Sequence, residues 1–429
     1  MKKILIFYAS YGGGHLSAAK SIQECLETSY TNIQIEVIDC IKYINRMLNK
    51  VTTGAYNEMA KDVPNLWGKV YAGSQKGILS SVSKETNKLM ARKLFKLIIE
   101  YKPDLIISTH PFSSQMVSYL KRKGHLDCEL ATILTDFSMH TQWLIGNEYG
   151  DYFFVANDKM KEQLINYGVK REKIHVTGIP LSSKFKRKID NKETYRMFNL
   201  NPERKTILFF GGGEFGLGKE RTVQILDSLI RNVPDYQIVA ISGKNEKMKK
   251  KFEEIVSHEN VEDRVRILGF TDKVPELMKI SNIVVTKPGG LTTSESLASG
   301  LPILVISPIP GQEEENAQFL EEKGVGIWLK KEADPDEIIK DLFKNENKIK
   351  EMKEKFGQIG KGIKVVVDSA NATGGVVGPQ LYKELGCDVI ELFSEPDGNF
   401  PNHHPNPSVE KTLDTLKEVV VENKADIGI

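Results

Sequence analysis

Short apolar runs alternate with helical patterns along the first half of the chain. Six runs rich in Ile, Val, Leu and Phe lack polar alternation, which is typical of strands covered on both faces of a sheet. Amphipathic segments over 16–28 and 84–101 lie among them. This order predicts a parallel sheet with helices on both faces. The expected strands are KILIFYA, IQIEVID, DLIISTH, LATILTD, YFFVAN and KIHVTGI.

The same alternation restarts after a polar stretch near residues 185–204, and a third strand–helix–strand pattern begins near Gly362. We therefore predict an α/β protein with two facing doubly wound Rossmann-like domains and a C-terminal α/β fragment. Ligands of such sheets bind outside the carboxyl ends of the strands. The second set of expected strands is TILFFGG, QIVAISG, VRILGF, NIVVTKP and PILVIS. The predicted domains are 1–190, 200–360 and 362–429.

The composition agrees with a soluble globular protein. The 429 residues include 40% hydrophobic and 27% charged residues, and the net charge of +2 gives no indication of nucleic-acid binding. Cys25, Cys40, Cys128 and Cys387 are scattered, which predicts reduced thiols in a cytosolic protein. The N-terminal apolar run ends at Tyr11 without a cleavage site, so we expect a buried strand there. No run is long enough for a membrane span.

Two glycine loops have to be weighed as nucleotide sites of other classes. Residues 10–15 join the first strand to a helix, and a helix N-terminus favours an anion. Ser17 stands where the dinucleotide fingerprint needs a glycine, which disfavours an NAD site. A tight turn without a ligand stays open as the alternative. Residues 213–219 fit GxxxxGK, but Glu220 replaces the hydroxyl that holds magnesium in NTPases, so we reject that interpretation.

Residues 286–295, TKPGGLTTSE, form the most specific cluster. A strand ends in Lys287, a glycine turn follows, and hydroxyls open a helix whose free N–H groups suit a pyrophosphate. We expect Glu295 in the first helical turn, where its carboxylate suits a ribose diol. The alternative is a capping box between Glu295 and Thr292. This cluster predicts a nucleotide diphosphate at the start of the helix.

Taken together, these residues resemble the diacylglycerol glycosyltransferases, the family of processive diacylglycerol glucosyltransferases and monogalactosyldiacylglycerol synthases. The resemblance covers about residues 1–360 and implies the GT-B fold, with the acceptor on the N-terminal domain and the UDP-sugar on the C-terminal one. The motifs that carry it are YGGGH at 11–15, STHPF at 108–112, TDFSMHTQW at 135–143, VTGIP at 176–180, FGGGEFGLG at 210–218, ILGF at 267–270, TKPGGLTTSES at 286–296 and PIPGQEEEN at 308–316.

The resemblance implies an enzyme that inverts the anomeric centre while it moves a hexose, with glucose expected, from a UDP-sugar to diacylglycerol. Whether one or several sugars are added stays open. The alternatives are a catalytically impaired UDP-sugar-binding sensor and a lipid-intermediate N-acetylglucosaminyltransferase of cell-wall synthesis. No cofactor and no metal are expected. Asp334 and Asp336 match a DxD pattern, but they introduce a helix as an N-cap and an acidic first turn.

An inverting transfer needs a base for the acceptor hydroxyl and stabilisation of the departing diphosphate. His15 is the first candidate for the base, because imidazole titrates near physiological pH, and Asp136 and His140 compete with it. On the acceptor side we expect Gly13, Gly14, His110, Pro111, Phe112 and Trp143. The resemblance places the donor against Gly211, Gly212, Gly213, Glu214, Phe270, Lys287, Gly289, Gly290, Leu291, Thr292, Glu295, Gln312 and Glu313.

Residues 41–102 carry a strong positive charge, with 12 Lys or Arg against 4 Asp or Glu, interleaved with Trp67 and other apolar residues. Basic and apolar residues together suit an anionic bilayer surface. A solvated helical face is the alternative. We expect a cytoplasmic protein that is peripheral on the inner face of the cell membrane. Its expected partners are the UDP-sugar and diacylglycerol, with no nucleic acid and no protein partner.

Residues 364–429 resemble a different family, the second domain of phosphoglucomutases and phosphomannomutases. The aspartate-rich metal loop expected to follow is absent from the sequence, and Asn371-Ala372 replaces the usual Asn-Gly. We therefore expect no mutase activity and no metal at His403 and His404. The join is expected to precede the last helix of the transferase, as a gene fusion or a chimeric reading frame would produce.

Overall fold

The computed structural model describes residues 1–9, 13–44, 91, 93–139, 141–144, 148–211, 219–357 and 362–429. The chain forms two compact units, residues 1–349 and 350–429. The predicted domain boundaries of 1–190, 200–360 and 362–429 stay a prediction. Most of the basic segment 41–102 lies outside the described residues, as do the predicted site residues His140, Gly212, Gly213 and Glu214.

Among its described residues, the first unit begins with six strands that coincide with the six predicted apolar runs, which confirms that prediction. They are β1 Lys2–Tyr8, β2 Ile33–Asp39, β3 Leu105–Ser108, β4 Glu129–Ile133, β5 Tyr152–Val155 and β6 Ile174–Val176. The strands form one parallel sheet in the order β2-β1-β3-β4-β5-β6. Leu5, Ile6 and Phe7 of β1 are fully buried, as expected of a strand covered on both faces.

Helices connect these strands, as the parallel order requires. In α1, Ala18 and Ala19 are fully buried, and α1 contacts both β1 and β2. The helices are α1 Gly13–Ser29, α2 Cys40–Ile44, α3 over 93–101, α4 Pro111–Arg122, α5 Asp158–Asn166 and α6 Asn191–Met197, with 3₁₀ turns at Thr141–Trp143, Arg171–Lys173 and Ser183–Lys186.

The first unit contains a second parallel sheet of six strands. They are β7 Thr206–Phe210, β8 Gln237–Ile241, β9 Val265–Leu268, β10 Ile283–Thr286, β11 Ile303–Val305 and β12 Gly326–Trp328. Their order is β12-β11-β10-β7-β8-β9. The chain reverses direction across the sheet between β7 and β10, and such a switch point leaves a crevice at the carboxyl ends of the strands. The five predicted strands are confirmed, and β12 was not predicted.

Seven helices bound this second sheet in the part of the chain that the structure describes. They are α7 Lys219–Asn232, α8 Glu246–Glu259, α9 Val274–Ile280, α10 Gly290–Ala298, α11 Gln312–Glu322, α12 Pro335–Lys344 and α13 Glu346–Glu354, followed by a 3₁₀ turn at Lys355–Gly357. Asp334 caps α12 by accepting a hydrogen bond from the Asp336 N–H at 3.0 Å, which confirms the N-cap interpretation. Of all helices within the described residues, none combines the length and the apolar character needed to cross a membrane.

The second unit is a small α/β fold, as the sequence predicts. Its strands are β13 Lys364–Asp368, β14 Asp388–Leu392 and β15 Ile427–Gly428, paired in parallel in the order β14-β13-β15. Its helices are α14 Gly378–Glu384 and α15 Asp414–Glu422, with 3₁₀ turns at Thr373–Val376 and Glu410–Leu413. His403 pairs with Asp368 at 3.0 Å, and this pair ties a Pro- and Asn-rich loop to the end of β13. That contact gives His403 a structural role.

Candidate active site

His15 lies in the first turn of α1, directly after the loop that leaves β1. Its Nδ1 atom lies 2.6 Å from the carbonyl oxygen of Thr109 and 3.1 Å from the hydroxyl of Thr135. Because a carbonyl oxygen can only accept, Nδ1 carries the proton and donates it to Thr109. Nε2 therefore keeps its lone pair, which is the form that a general base needs.

The electrostatic surroundings keep the His15 ring neutral. Burial lowers the pKa of His15 to about 4, although the hydrogen bond to Thr109 opposes this shift. At neutral pH nearly every ring is thus uncharged and able to accept a proton. An anion placed beside the ring would raise its pKa again, because an opposite charge stabilises the protonated form.

His110 supports His15 from the end of β3. The two rings meet edge to face with their centroids 4.6 Å apart. Nδ1 of His110 accepts a hydrogen bond from the Phe112 N–H at 3.2 Å, so His110 caps α4 and carries its own proton on Nε2. Pro111 is buried and Phe112 is half-buried, so this predicted acceptor side is a packed helix start.

Asp136 follows β4 and is buried in the cleft. Burial raises the pKa of Asp136 to about 7, the nearby side chains of Gln312 and Trp143 oppose the shift, and the charge of Glu313 adds to it. Its Oδ2 atom has no hydrogen-bond partner among the described residues. Since buried polar atoms are normally paired, this oxygen suits a polar group of a ligand. Trp143 is fully buried in the core next to it.

The start of α10 meets the loops that hold these groups. A methyl group at Gly290 would overlap the carbonyl oxygen of Thr135, and one at Gly14 would lie 3.9 Å from Cβ of Leu291. The backbone N–H groups of Gly290, Leu291 and Thr292 have no acceptor within the described part of the chain, as expected for a first helical turn. The structure thus brings the predicted diphosphate site and the predicted base together across one cleft.

Helix α10 starts three residues earlier than the sequence predicts, since Glu295 in its first turn would make Thr292 the N-cap. Gly289 is its N-cap and makes no side-chain cap, so Glu295 lies in the second turn rather than in the first. A capping box between Thr292 and Glu295 does not form, since Thr292 is already inside the helix. The early start is sterically allowed because Gly290 has no side chain to collide with Thr135.

Three ionisable side chains surround this helix start. Burial lowers the pKa of Lys287, while the facing charge of Glu313 raises it. Burial raises the pKa of Glu313, whose Oε2 atom accepts a hydrogen bond from the Ile309 N–H at 2.7 Å. Burial also raises the pKa of Glu295 to about 7. Perturbed groups gathered in a cleft are typical of functional sites.

Two further residues predicted to bind the donor, Phe270 and Gly211, follow strands of the second sheet. Phe270 follows β9 and leaves 71% of its surface exposed, with the Lys244 ammonium 5.7 Å from the ring centre. Gly211 directly follows β7, and a side chain there would overlap the ring of Phe252, so packing alone requires this glycine.

Sequence reasoning missed the residues that connect these groups. Thr109 and Thr135 hold the His15 ring, and Asn316 of α11 bonds both to the loop after Asp136 and to the loop before α10. All three stand inside motifs that carry the resemblance, next to residues with predicted roles. Their position within those motifs is the sequence feature that could have identified them as candidates.

Three family models match segments of the chain. Residues 15–181 match the family model "Monogalactosyldiacylglycerol (MGDG) synthase", and residues 206–368 match "Glycosyltransferase family 28 C-terminal domain". Residues 346–429 match "Phosphoglucomutase/phosphomannomutase, alpha/beta/alpha domain II". Both predicted resemblances are confirmed.

Individual relatives agree with these matches. The chain is 33% identical over 357 residues to the processive diacylglycerol beta-glucosyltransferase of Staphylococcus carnosus, covering 83% of this chain and 88% of that protein. It is 30% identical to the enzyme of the same name from Bacillus licheniformis, covering 82% and 89%. The crystal structure of Acinetobacter baumannii MurG superposes with a TM-score of 0.56 at 12% identity, covering 83% and 94%. That likeness confirms the predicted fold.

Proposed function

Because the chain belongs to the family of processive diacylglycerol β-glucosyltransferases, we propose that its cleft transfers glucose from UDP-glucose to diacylglycerol and forms a β-glucoside. The observation that carries this proposal is the contact between two parts of the cleft. The start of α10, with unpaired N–H groups, touches the loops that hold His15 and Asp136. A diphosphate on that helix would place its sugar beside the neutral imidazole.

The residues divide the reaction between them. Nε2 of His15 takes the proton of the acceptor hydroxyl, and the hydroxyl oxygen attacks C1 of glucose from the face opposite to the diphosphate. The bond from C1 to the β-phosphate oxygen breaks, and UDP leaves with the electron pair. The N–H groups of Gly290, Leu291 and Thr292 stabilise the charge that develops on UDP. Attack from the opposite face inverts the anomeric centre.

The low pKa of His15 suits this sequence of events. The ring is neutral before the donor binds, so it does not have to lose a proton first. The negative diphosphate then raises the pKa of His15 and improves it as a base. Asp136 can hold the acceptor or a sugar hydroxyl through its unpaired Oδ2 atom. We expect Gln312 and Glu313, at the start of α11, to contact the sugar and Phe270 to border the uracil.

A peripheral position on the inner face of the membrane belongs to the same proposal. Helix α3 buries Leu94 and Ile98 and exposes Lys93, Lys96 and Ile99, a combination that suits an anionic surface. We expect the protein to sediment with vesicles that contain anionic lipid and to be released by salt, because charge attraction is screened. Equal binding to neutral vesicles would argue against a role for these charges.

Glu295 makes the affinity for the donor depend on pH. If the ribose hydroxyls donate to its carboxylate, binding favours the ionised form, so affinity for UDP-glucose should fall as the pH drops below about 7. Replacing Glu295 by Gln should weaken binding by roughly 10-fold or more, since it removes hydrogen bonds to a charged group. Calorimetry at pH 6 and pH 8 measures both effects.

The Glu295→Gln variant also separates Glu295 from its neighbours. Asp136 and Glu313 have raised pKa values as well and remain in the variant. The difference in pH dependence between the two proteins therefore belongs to Glu295. Unchanged affinity together with an unchanged pH profile would remove Glu295 from the ribose site.

The function itself is tested by product analysis. The full chain is incubated with UDP-glucose and vesicles that contain diacylglycerol, and the lipids are analysed by mass spectrometry. We expect a glucosyl diacylglycerol, and further hexose additions would show successive transfers. Binding of UDP-glucose without any product would favour a sensor. Product only with UDP-N-acetylglucosamine and a polyprenyl acceptor would favour the cell-wall alternative.

A further inference from the structure

Asn316 connects the two halves of the cleft through a single side chain. It lies in the second turn of α11 and is fully buried. Its Nδ2 atom donates to the carbonyl oxygen of Pro288 at 2.9 Å, and its Oδ1 atom accepts from the N–H of Phe137 at 3.0 Å. The Asn316 amide therefore donates one hydrogen bond to the loop before α10 and accepts another from the loop after Asp136.

Both partners stand next to residues of the proposed reaction. Pro288 precedes Gly289, the N-cap of α10, so its carbonyl is part of the turn that aims the first N–H groups of that helix. Phe137 follows Asp136 directly. The Asn316 amide therefore fixes the position of the diphosphate turn relative to the loop that carries Asp136.

Three other contacts join α11 to residues 137–159, and none of them involves the turn at residues 287–289 that precedes α10. The ring of Phe137 stacks on Phe319 with a centroid distance of 5.0 Å, and the Ser138 hydroxyl donates to Glu315 at 2.5 Å. Lys159 pairs with Glu322 on the surface at 3.0 Å. These contacts join α11 to the first sheet, and Asn316 extends the connection to Pro288.

We propose that Asn316 is a positioning residue, which holds the diphosphate helix and the Asp136 loop in the mutual geometry that transfer requires. The inference rests on the proposed glucosyl transfer. A displacement of about 1 Å between reacting groups can cost about 100-fold in rate. Loss of the amide should therefore lower turnover, while UDP, held by the second sheet and its loops, still binds.

The side chain has to donate and accept together, and this requirement gives a specific signature. An aspartate at this position would accept from Phe137, but its charged form has no proton for the Pro288 carbonyl. When protonated, it would satisfy both partners again. Asn316→Asp should therefore regain activity as the pH falls, relative to the unchanged protein, whereas Asn316→Ala should not.

The charged groups that face this position are the same in both proteins, so the comparison holds them constant. They are Asp136 after β4, Lys287 after β10, and Glu313 and Glu315 on α11. A control is Asn282→Asp. The Oδ1 atom of Asn282 accepts from the Thr206 N–H at 2.8 Å, a role that aspartate keeps, and the residue lies at the amino end of β10.

The experiment measures kcat and KM for UDP-glucose with diacylglycerol vesicles, and UDP affinity by calorimetry, between pH 5.5 and pH 8. We expect Asn316→Ala to lower kcat by roughly 10- to 100-fold with UDP affinity within about threefold. The activity ratio of Asn316→Asp to the unchanged protein should rise by roughly 10-fold toward acid pH, and that of Asn282→Asp should stay flat.

Three other results have a defined meaning. A flat ratio for Asn316→Asp would overturn the inference. Full activity of Asn316→Ala would do the same. Absence of glycolipid from the unchanged protein would instead overturn the proposed function, on which the inference rests. A failure of the inference alone appears with an active unchanged protein, so the two failures are distinguishable.

Discussion

Replacing His15 by Ala is expected to lower turnover of UDP-glucose by about 10²–10⁴-fold, the usual contribution of a general base. The imidazole is held by Thr109 with its Nε2 lone pair available, and burial keeps it neutral, so its loss removes the proton acceptor. The UDP affinity should stay within about threefold, because the proposed diphosphate site is the start of α10 and does not include His15. Steady-state kinetics and calorimetry on the same preparation measure both quantities.

A matched control is His258→Ala. That histidine leaves 83% of its side chain exposed at the end of α8 and contacts Glu259. Its removal should leave turnover unchanged. Near-normal turnover of His15→Ala would move the role of the base to Asp136, which has a pKa raised to about 7 by burial.

The second large effect is expected from Gly290→Ala. The added methyl group would overlap the Thr135 carbonyl oxygen, and a backbone atom cannot rotate away as a side chain can. The start of α10 would have to move away from the loops that hold His15 and Asp136. We expect kcat/KM to fall by about 100-fold or more, because misplacement of reacting groups by about 1 Å has effects of that size.

The fold itself should tolerate this substitution. Alanine is a better helix former than glycine by about 1 kcal/mol, so α10 loses no intrinsic stability. Thermal unfolding should still be cooperative, with a decrease in Tm limited to the cost of separating α10 from the Thr135 loop. Gly374→Ala in the second unit, where an added methyl group meets no atom within 4 Å, is the control. A Gly290→Ala protein with normal kcat/KM would contradict the contact between α10 and the Thr135 loop.

The strands could be predicted because their residues are buried on both faces. Leu5, Ile6 and Phe7 belong to a run without polar interruption, and a short run of this kind between helical patterns is typical of a strand inside a parallel sheet. The strand β12 at residues 326–328 escaped prediction because Gly326 interrupts its short apolar run, and glycine is depleted in strands. So short a segment shows no periodicity.

The sequence predicted the site residues that lie within recognisable motifs, but it did not predict the contacts between them. His15 was selected from its glycine loop, but the atoms that fix its tautomer lie 94 and 120 positions away, at the ends of β3 and β4. The pKa of Asp136 depends in part on Gln312 from the second sheet. Contacts between distant segments leave no local pattern. The sequence predicted that the N–H group of Gly290 binds the diphosphate. The structure shows in addition that a side chain at this position would collide with Thr135.

Some predictions stay predictions. His140 and the loop residues Gly212, Gly213 and Glu214 lie outside the described residues. Trp143, predicted on the acceptor side, is fully buried beside Asp136, and its contact with the acceptor stays a prediction. The absence of mutase activity in residues 362–429 is likewise a matter for assay.

The most direct test of the site is a crystal structure of the His15→Ala protein with UDP-glucose. We expect the β-phosphate oxygens within about 2.7–3.2 Å of the N–H groups of Gly290, Leu291 and Thr292, with C1 of glucose facing the space vacated by the imidazole. A diphosphate bound elsewhere, or a sugar turned away from α1, would contradict the proposed geometry of transfer.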